Sequence, residues 1–225
     1  MSAVAPRPDR AILPSGLHAP AAAVSVLALL VFGVFAARYA DNSSAGRLDR
    51  RVQWLVGYQD TTPSLPDIVI DFGGPDGTVV FAVVLCGIAL VLGHRRLAVL
   101  AIVGPGLTGV ATTTLKPLIG RTIDGEFAFP SGHTGGATAL GVVAALLLIA
   151  VLRTPSGASA VLIVTGAVLS GGTMALALVA DRAHYATDTV GGFCVAVAVV
   201  LTSALVIERL PRATSMGGRS DRSPS

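Results

Sequence analysis

Residues 133–152, HTGGATALGVVAALLLIAVL, decide the fold. The stretch contains no lysine, arginine, aspartate or glutamate, and it reaches the length of about 20 apolar residues that a helix needs to cross a bilayer. Five further apolar runs occur along the chain, at 21–40, 78–93, 97–116, 159–180 and 187–207. The sequence therefore predicts an all-α fold, a six-span transmembrane helical bundle.

The composition agrees with a membrane protein. The 225 residues are 52% hydrophobic and 13% charged, with a mean hydropathy of +0.74, whereas soluble domains carry about 25% charged residues. So short a chain has little room for a soluble domain beside the bundle. The pI of about 9.3 would suit nucleic-acid binding, but the arginines are scattered and aromatic residues reach only 5%. We therefore expect no nucleic-acid partner.

Three segments follow from the apolar runs. We expect a cytoplasmic tail over 1–20, a six-helix membrane domain over 21–208, and a disordered cytoplasmic tail over 209–225, where serine, glycine and arginine dominate. The two cysteines, Cys86 and Cys194, lie inside apolar runs without the spacing of a zinc site, so we expect buried thiols.

Two spans contain residues that disturb a regular helix. The second span is short and follows Gly73-Gly74-Pro75-Asp76-Gly77, so we predict that its start is re-entrant or tilted. The third contains Gly104-Pro105-Gly106, where a missing amide and two permissive residues predict a kink.

The polar stretch between the first two spans contains a short amphipathic pattern. From Arg47 to Tyr58, apolar side chains recur on one side at helical spacing, and the charged ones, Asp49 included, fall mostly elsewhere. Because Trp54 and Tyr58 are also present, the pattern predicts a short helix at the membrane interface. A solvated loop is the alternative.

The distribution of arginine predicts the orientation. With the N-terminus in the cytoplasm, the inner segments hold only three of the thirteen carboxylates. They hold nine arginines: Arg7, Arg10, Arg95, Arg96, Arg153, Arg209, Arg212, Arg219 and Arg222. The positive-inside rule therefore places both termini in the cytoplasm. Five polar side chains then collect at the extracytoplasmic ends of spans three to six, namely Lys116, Arg121, His133, His184 and Asp188.

The start of the fourth span has the features of an anion site. Ser131 is a good N-cap, and the first amides of the following helix are unpaired and lie at the positive end of its dipole. Gly132 lets the backbone approach a ligand closely. We predict that Ser131 and Gly132 hold a phosphoryl oxygen. The alternative is an ordinary capped helix with an interfacial histidine.

The second histidine is followed by a carboxylate four residues later. If the helix has begun there, His184 and Asp188 share a face. A carboxylate on one ring nitrogen fixes the tautomer and raises the nucleophilicity of the other nitrogen. His184 is therefore the candidate nucleophile, with Asp188 as its orienting group and His133 as the candidate general acid. Alone, such a pair is usually a structural hydrogen bond.

Two cations accompany the histidines. Lys116 offers a compact charge at a helix end, and Arg121 offers a planar fork that suits phosphate oxygens. Both would oppose the negative charge of a pentacoordinate phosphorus transition state. The alternatives are a snorkelling lysine and an arginine that contacts lipid headgroups.

Three stretches resemble the signatures of one family. They are Lys116-Pro-Leu-Ile-Gly-Arg121, Pro130-Ser-Gly-His133 and His184-Tyr-Ala-Thr-Asp188. They are similar to the signatures of the type 2 phosphatidic acid phosphatases, the lipid-phosphatase branch of the vanadium haloperoxidase superfamily. The resemblance covers roughly 116–192, and the second and third stretches at a separation of about fifty residues are its specific part.

The resemblance implies both an arrangement and a reaction. The family has six spans with an outward-facing site, and it hydrolyses phosphomonoesters or pyrophosphates without a metal or other cofactor. It implies a phosphohistidine on His184, oriented by Asp188, with His133 protonating the leaving group. The residues that would hold the phosphate are Lys116, Ser131 and Gly132.

Two positions depart from the family's pattern. The family usually has an arginine seven residues after the lysine, but Ile123 stands there, which leaves Arg121 as the substitute. It also usually has an arginine six residues before the nucleophilic histidine, where this chain has Leu178. Arg182 is nearby, but on a helix it would point about 200° away from that histidine, so it can touch phosphate only if 181–183 is not helical.

These departures keep two other functions open. One is a lipid phosphotransferase that uses the same site, and the other is a non-catalytic membrane protein that binds a lipid phosphate. A metal site built from His133, His184 and Asp188 is disfavoured, because no zinc-type ligand spacing occurs. The expected partners are a lipid phosphate or polyprenyl pyrophosphate substrate and membrane lipids. The sequence leaves open which lipid is used and whether the chain forms a homo-oligomer.

Overall fold

The computed structural model describes residues 11–56 and 65–211, and these residues are mainly helical. A short 3₁₀ turn, Ser15–Leu17, leads into the first helix. The helices of the described residues are α1 (His18–Tyr39), α2 (Arg47–Val56), α3 (Leu65–Phe72), α4 (Pro75–Val91), α5 (Arg95–Ile119), α6 (Gly132–Leu152), α7 (Ser156–Ala180) and α8 (Ala186–Arg209). A small antiparallel hairpin of β1 (Thr122–Ile123) and β2 (Glu126–Phe127) lies between α5 and α6.

The helices supply six candidate spans. Five of them, α1, α5, α6, α7 and α8, are individually long and apolar enough to cross a membrane. The sixth is a broken one, because α3 and α4 meet the same criterion only together and are bent by 61° where they meet. The predicted transmembrane helical bundle is therefore confirmed. Among the described residues, a hairpin of two two-residue strands departs from an all-α fold.

The break between α3 and α4 has a local cause. Gly74 caps α4 with an extended backbone, and Pro75 occupies the first position of the helix. Proline is tolerated there because the first amides of a helix have no intrahelical partner. The predicted irregular start of the second span is thus confirmed. α5 is continuous through Gly104-Pro105-Gly106, and the kink expected there stays a prediction.

Close contact between α6 and α8 organises one end of the bundle. These two spans are the most enclosed of the candidate spans. In the most apolar part of each helix, 61% of the residues of α6 and 67% of those of α8 are buried, against 17% for α1. The Ser131 amide donates to the Asp188 carbonyl at 3.0 Å, and a side chain at Gly192 would overlap the Ser131 carbonyl. Glycine at 192 therefore permits an approach that brings the two histidine-bearing segments together.

Residues before α1 pack against the other end of α8. Ile12 and Leu13 are buried, the Leu13 amide donates to Glu208 Oε1 at 2.7 Å, and His18 Nε2 lies 2.7 Å from Glu208 Oε2. The described part of the predicted N-terminal tail is thus anchored to the bundle. Most of both predicted tails, 1–10 and 212–225, lies outside the described residues.

The short helix expected after the first span is present as α2. Its apolar side chains Leu48, Trp54 and Leu55 are 50%, 83% and 68% exposed, which suits a helix that rests on a bilayer surface. The Gln53 side chain donates to the Val179 carbonyl at 2.8 Å and docks α2 on α7. Its interfacial position stays a prediction, and Tyr58 lies outside the described residues.

One charged residue of α2 faces inward. Asp49 is only 1% exposed, although the helical pattern grouped it with the outward charges. The reason lies in tertiary structure, because cationic and hydroxyl partners for the carboxylate lie beneath the helix.

Candidate active site

Polar side chains gather where α5 ends and where α6 and α8 begin. Lys116 lies in the last turn of α5, His133 in the first turn of α6, and Asp188 in the first turn of α8. His184 lies two residues before α8, and Arg121 follows α5. The structure therefore brings these five residues to one end of the bundle. Its placement on the extracytoplasmic side stays a prediction.

Ser131 forms the cap that the sequence predicted for α6. Its backbone is extended, and its Oγ accepts the Thr134 amide at 3.3 Å and the Thr134 hydroxyl at 3.2 Å. Gly132 begins the helix, so the first amides of α6 have no intrahelical partner, and the cap takes that of Thr134. The local structure is that of an anion-binding helix start.

Asp188 lies close to the imidazole of His184, but not because the two share a helical face. The distance from Nδ1 of His184 to Oδ2 of Asp188 is 3.6 Å, although α8 begins only at Ala186. The contact arises from a capping box, in which the same Oδ2 accepts the Tyr185 amide at 3.0 Å. Because Nδ1 faces the carboxylate, Nε2 is the nitrogen available for attack.

The distance between His184 and Asp188 exceeds that of a hydrogen bond. Within the described residues, Nδ1 of His184 is buried and has no hydrogen-bond partner. Catalytic hydrogen bonds are often long in empty sites and shorten when the substrate binds. The carboxylate is therefore placed to receive this N–H during the reaction.

His133 and Lys116 complete the charged group. His133 is half-buried, and both His184 and Lys116 act on it electrostatically. Asp188 in turn acts on Lys116. Two imidazoles, one ammonium group and one carboxylate therefore lie close enough to interact electrostatically.

An apolar cavity of about 750 Å³ opens from this group. Its polar end carries Lys116, Gly132 and His133. Its wall between α4 and α5 is apolar and includes Val79, Ala82, Val83, Ile102, Pro105 and Val110. The cavity therefore connects the polar groups to a groove between two candidate spans.

Arg121 is fully buried, and carboxylates engage its guanidinium group. Nη1 donates to Asp188 Oδ1 at 2.6 Å and to Thr187 Oγ1 at 2.5 Å. Nη2 donates to Asp49 Oδ2 at 2.8 Å. Because both Nη atoms have partners within the protein, the phosphate contact expected of Arg121 stays a prediction.

Asp49 is a member of this site that the sequence pattern did not reveal. Its Oδ1 accepts the Thr187 amide at 3.0 Å and the Thr187 hydroxyl at 2.8 Å, and its Oδ2 accepts the Gly46 amide at 3.0 Å. Burial would by itself raise the pKa of Asp49, but the hydrogen bonds from Thr187, Gly46 and Arg121 outweigh it and hold the pKa below its usual value. Asp49 is therefore ionised at neutral pH.

Two tyrosines enclose the Arg121 guanidinium. The rings of Tyr39 and Tyr185 have their centroids 4.1 Å and 4.8 Å from Cζ, distances at which a cation is attracted to an aromatic face. Burial is the main reason why the pKa of the Tyr185 hydroxyl is raised. The two rings therefore help to shield the Arg121 guanidinium from solvent.

Arg182 meets the condition that the sequence set for it. α7 ends at Ala180, and Arg182 has a φ of 63°, so the 181–183 segment is a turn. The side chain is exposed, and its contact with phosphate stays a prediction.

Metal ligands do not cluster in the part of the chain that the structure describes. Residues 11–56 and 65–211 contain no group of three or more histidine, cysteine, aspartate or glutamate side chains that could hold a metal ion. Cys86 is half-buried and Cys194 is buried, and both are free thiols. The expectation of buried thiols is therefore confirmed for Cys194 and only partly met by Cys86.

Comparisons with known proteins agree with these features. Residues 105–212 match the family model of the PAP2 superfamily, and this segment contains every residue predicted for catalysis or phosphate binding. No curated protein matches the chain. A similar solved structure is the crystal structure of the first transmembrane PAP2 type phosphatidylglycerolphosphate phosphatase from Bacillus subtilis. The TM-score is 0.65 at 18% identity, and the match covers 84% of this chain and 98% of that chain.

At this identity the structural likeness shows the shared fold. The family match covers slightly less than half of the chain, and it includes α6, α8 and the turns before them. The chain is therefore a membrane protein that shares its fold with a transmembrane PAP2 type phosphatase and whose segment 105–212 is similar to the PAP2 superfamily.

Proposed function

We propose that the protein is an integral membrane phosphatase that hydrolyses a lipid phosphate or an isoprenoid pyrophosphate through a phosphohistidine intermediate. The observation that carries the proposal is the pairing of His184 with Asp188, 3.6 Å apart, beside His133 and Lys116 at the polar end of an apolar cavity. The match of residues 105–212 to the PAP2 superfamily model supports phosphatase chemistry in general.

In the first step, Nε2 of His184 attacks phosphorus, and the bond between phosphorus and the leaving oxygen breaks. His133 donates a proton to that oxygen, so the leaving group does not depart as an unstable oxyanion. Asp188 faces Nδ1 of His184 and stabilises the positive charge that develops on the imidazole.

In the second step, water attacks the phosphohistidine. His133, now neutral, accepts a proton from the water, and the bond between phosphorus and Nε2 of His184 breaks. Inorganic phosphate leaves, and both histidines return to their starting states. Because both steps balance with side chains and water, we propose a reaction that needs no metal or other cofactor.

The phosphoryl oxygens are proposed to contact Lys116, Ser131, Gly132 and the first amides of α6. Ser131 Oγ accepts hydrogen bonds from Thr134, which leaves its own proton for a phosphoryl oxygen. Arg182, exposed on the turn before α8, is proposed as an outer contact. Arg121 would contribute through Nε, which has no partner among the described residues, or by exchanging one of its carboxylate partners for the substrate.

The apolar cavity supports an amphiphilic substrate. A phosphate that lies between Lys116 and His133 has the groove between α4 and α5 immediately beside it, and an acyl or isoprenoid chain could occupy that groove. The related Bacillus subtilis structure is described as a phosphatidylglycerolphosphate phosphatase, which supports a lipid phosphomonoester as one class to test. We further propose that the site faces the extracytoplasmic side, as the distribution of arginine predicts.

The experiment that tests this function is phosphate release from a panel of lipid phosphates and isoprenoid pyrophosphates by the purified protein. We expect release from at least one amphiphile, unchanged by a chelator and inhibited by vanadate, a mimic of pentacoordinate phosphorus. Release that requires an added acceptor alcohol would identify a phosphotransferase. Binding of these lipids without any release would identify a non-catalytic binding protein, and either result would overturn the hydrolase proposal.

The groove itself can be tested by filling it at Gly109. A side chain at this position meets nothing within 4 Å, but Gly109 lines the cavity, so Gly109→Leu is expected to fold normally and to obstruct the substrate tail. We expect kcat/KM for a long-chain lipid phosphate to fall about tenfold or more, because a displaced tail moves the phosphate away from His184. A short-chain, water-soluble analogue should react at the wild-type rate.

A matched control is available on the neighbouring helix. Gly87 of α4 also has open space around its Cβ position, but it does not line the cavity. Gly87→Leu should leave both substrates unaffected. Equal loss on long and short substrates in Gly109→Leu would contradict a tail-binding groove.

A further inference from the structure

A buried ion cluster lies directly behind the catalytic pair. Arg121, Asp49 and Asp188 are 0%, 1% and 0% exposed. Arg121 joins the two carboxylates, with distances of 2.6 Å to Asp188 and 2.8 Å to Asp49. Thr187 closes the cluster, because its hydroxyl accepts from Arg121 and donates to Asp49. Each charge is thus paired, as a buried charge must be.

The two oxygens of Asp188 have different partners. Oδ1 receives Arg121 Nη1, whereas Oδ2 receives the Tyr185 amide and lies near Nδ1 of His184. Rotation of the carboxylate would break both sets of contacts together. Arg121 therefore holds Asp188 in the one rotamer that presents Oδ2 to the histidine.

Asp49 holds Arg121 from the other side and comes from a different part of the chain. It lies on α2, which contacts the rest of the bundle through Gln53 and Val179 as well, while Trp54 and Leu55 of the same helix are exposed. The chain of contacts therefore runs from a surface helix through Asp49, Arg121 and Asp188 to His184.

We propose that Arg121 is a positioning residue for the reaction, fixed by Asp49 of α2, and that it acts by locking Asp188 against His184. This inference rests on the proposed function, since it assigns Asp188 to the orientation of a nucleophile. It differs from direct phosphate binding, because three N–H groups on the Nη atoms of Arg121 already donate to Asp49, Thr187 and Asp188, although Nε is buried without a partner among the described residues. The folded position of α2 then determines whether the site is competent.

The test removes one charge at a residue that does not contact the substrate. Asp49→Asn keeps the size of the side chain but places an amide where Arg121 and the Gly46 amide need an acceptor. We expect kcat to fall about 10- to 100-fold, since small misplacements of a catalytic group have effects of this size. KM and the inhibition constant for inorganic phosphate should not change, because the phosphate contacts remain intact.

A double variant distinguishes an effect of Asp49 that is transmitted through Arg121 from a general loss of structure. Arg121→Gln alone should lower kcat at least as much as Asp49→Asn, and Asp49→Asn in the Arg121→Gln background should add little further loss. Arg121→Lys, which keeps the charge but not the fork, should recover part of the activity. Asp124→Asn, a change in an exposed carboxylate of the hairpin turn, is the control and should have wild-type kinetics.

Three results would overturn the proposal. They are a wild-type kcat in folded Asp49→Asn, fully additive losses in the double variant, and a weakened affinity for inorganic phosphate in Arg121→Gln with kcat retained, which would show direct phosphate binding. If Asp49→Asn does not purify, Arg121→Lys provides the same split between kcat and the affinity for inorganic phosphate. Failure of the proposed function is distinguishable, because the wild-type protein would then release no phosphate.

Discussion

Replacement of His184 by alanine is expected to abolish phosphate release, lowering kcat by about four orders of magnitude or more. The loss should be this large because the substitution removes the attacking atom and leaves water as the only nucleophile. His184 is 8% exposed and its side chain makes no hydrogen bond among the described residues. The variant should therefore fold and should still bind a lipid phosphate through Lys116 and the α6 amides.

The control for His184→Ala is a histidine remote from the site. His94 precedes α5 at the end opposite Lys116, and His94→Ala should retain wild-type kcat. Phosphate release measured with a lipid phosphate in detergent micelles checks both variants. Substantial turnover by folded His184→Ala would show that the nucleophile is another group.

Replacement of His133 by alanine is expected to lower kcat by about two to four orders of magnitude, and the loss should depend on the leaving group. A lipid alkoxide needs a proton as it departs, whereas a nitrophenolate leaves readily without one. We therefore expect the first step of His133→Ala to be slow with a lipid phosphate and close to normal with p-nitrophenyl phosphate.

The second step provides an internal check on this assignment. Because His133 also accepts the proton of the attacking water, His133→Ala should form the phosphoenzyme from p-nitrophenyl phosphate and then hydrolyse it slowly. A burst of nitrophenolate followed by slow turnover is the expected signature. An equal loss with both substrates and no burst would show that His133 binds phosphate and does not transfer protons.

The sequence predicted the spans well because a bilayer imposes a length and a polarity on each helix that can be recognised locally. The run at 133–152 is observed as α6, and the other long runs appear within a few residues of their expected bounds. α3 was not expected, since its eight residues are too short to meet the length criterion without α4. α3 and α4 make a complete span only when they are taken together.

The site was predicted less completely, because part of it depends on tertiary contacts. The residues Lys116, His133, His184 and Asp188 have recognisable spacings and are gathered as expected. Asp49 lies 139 positions from Asp188 in sequence, by subtraction of the two residue numbers. On α2 it looks like one more charge on an amphipathic helix, and nothing local shows that it turns inward to Arg121.

The reason for the proximity of His184 and Asp188 also differed from the expected one. A spacing of four suggested a common helical face, but His184 precedes α8, and the capping of Tyr185 by Asp188 sets the geometry. The four-residue spacing therefore predicted the correct pair of side chains, although a capping box and not a shared helical face brings them together. Similarly, Arg182 lies on a turn because α7 ends at Ala180, a boundary that the apolar run marked correctly.

A covalent phosphoryl group on His184 is tested most directly by rapid-quench trapping with a substrate labelled at its phosphorus. Turnover stopped in alkali should give a label that is stable to alkali, labile to acid, and located by mass spectrometry on His184. The label should be absent in His184→Ala and more abundant in His133→Ala with p-nitrophenyl phosphate. Steady turnover with no label on the protein, or with the label on another residue, would contradict the account.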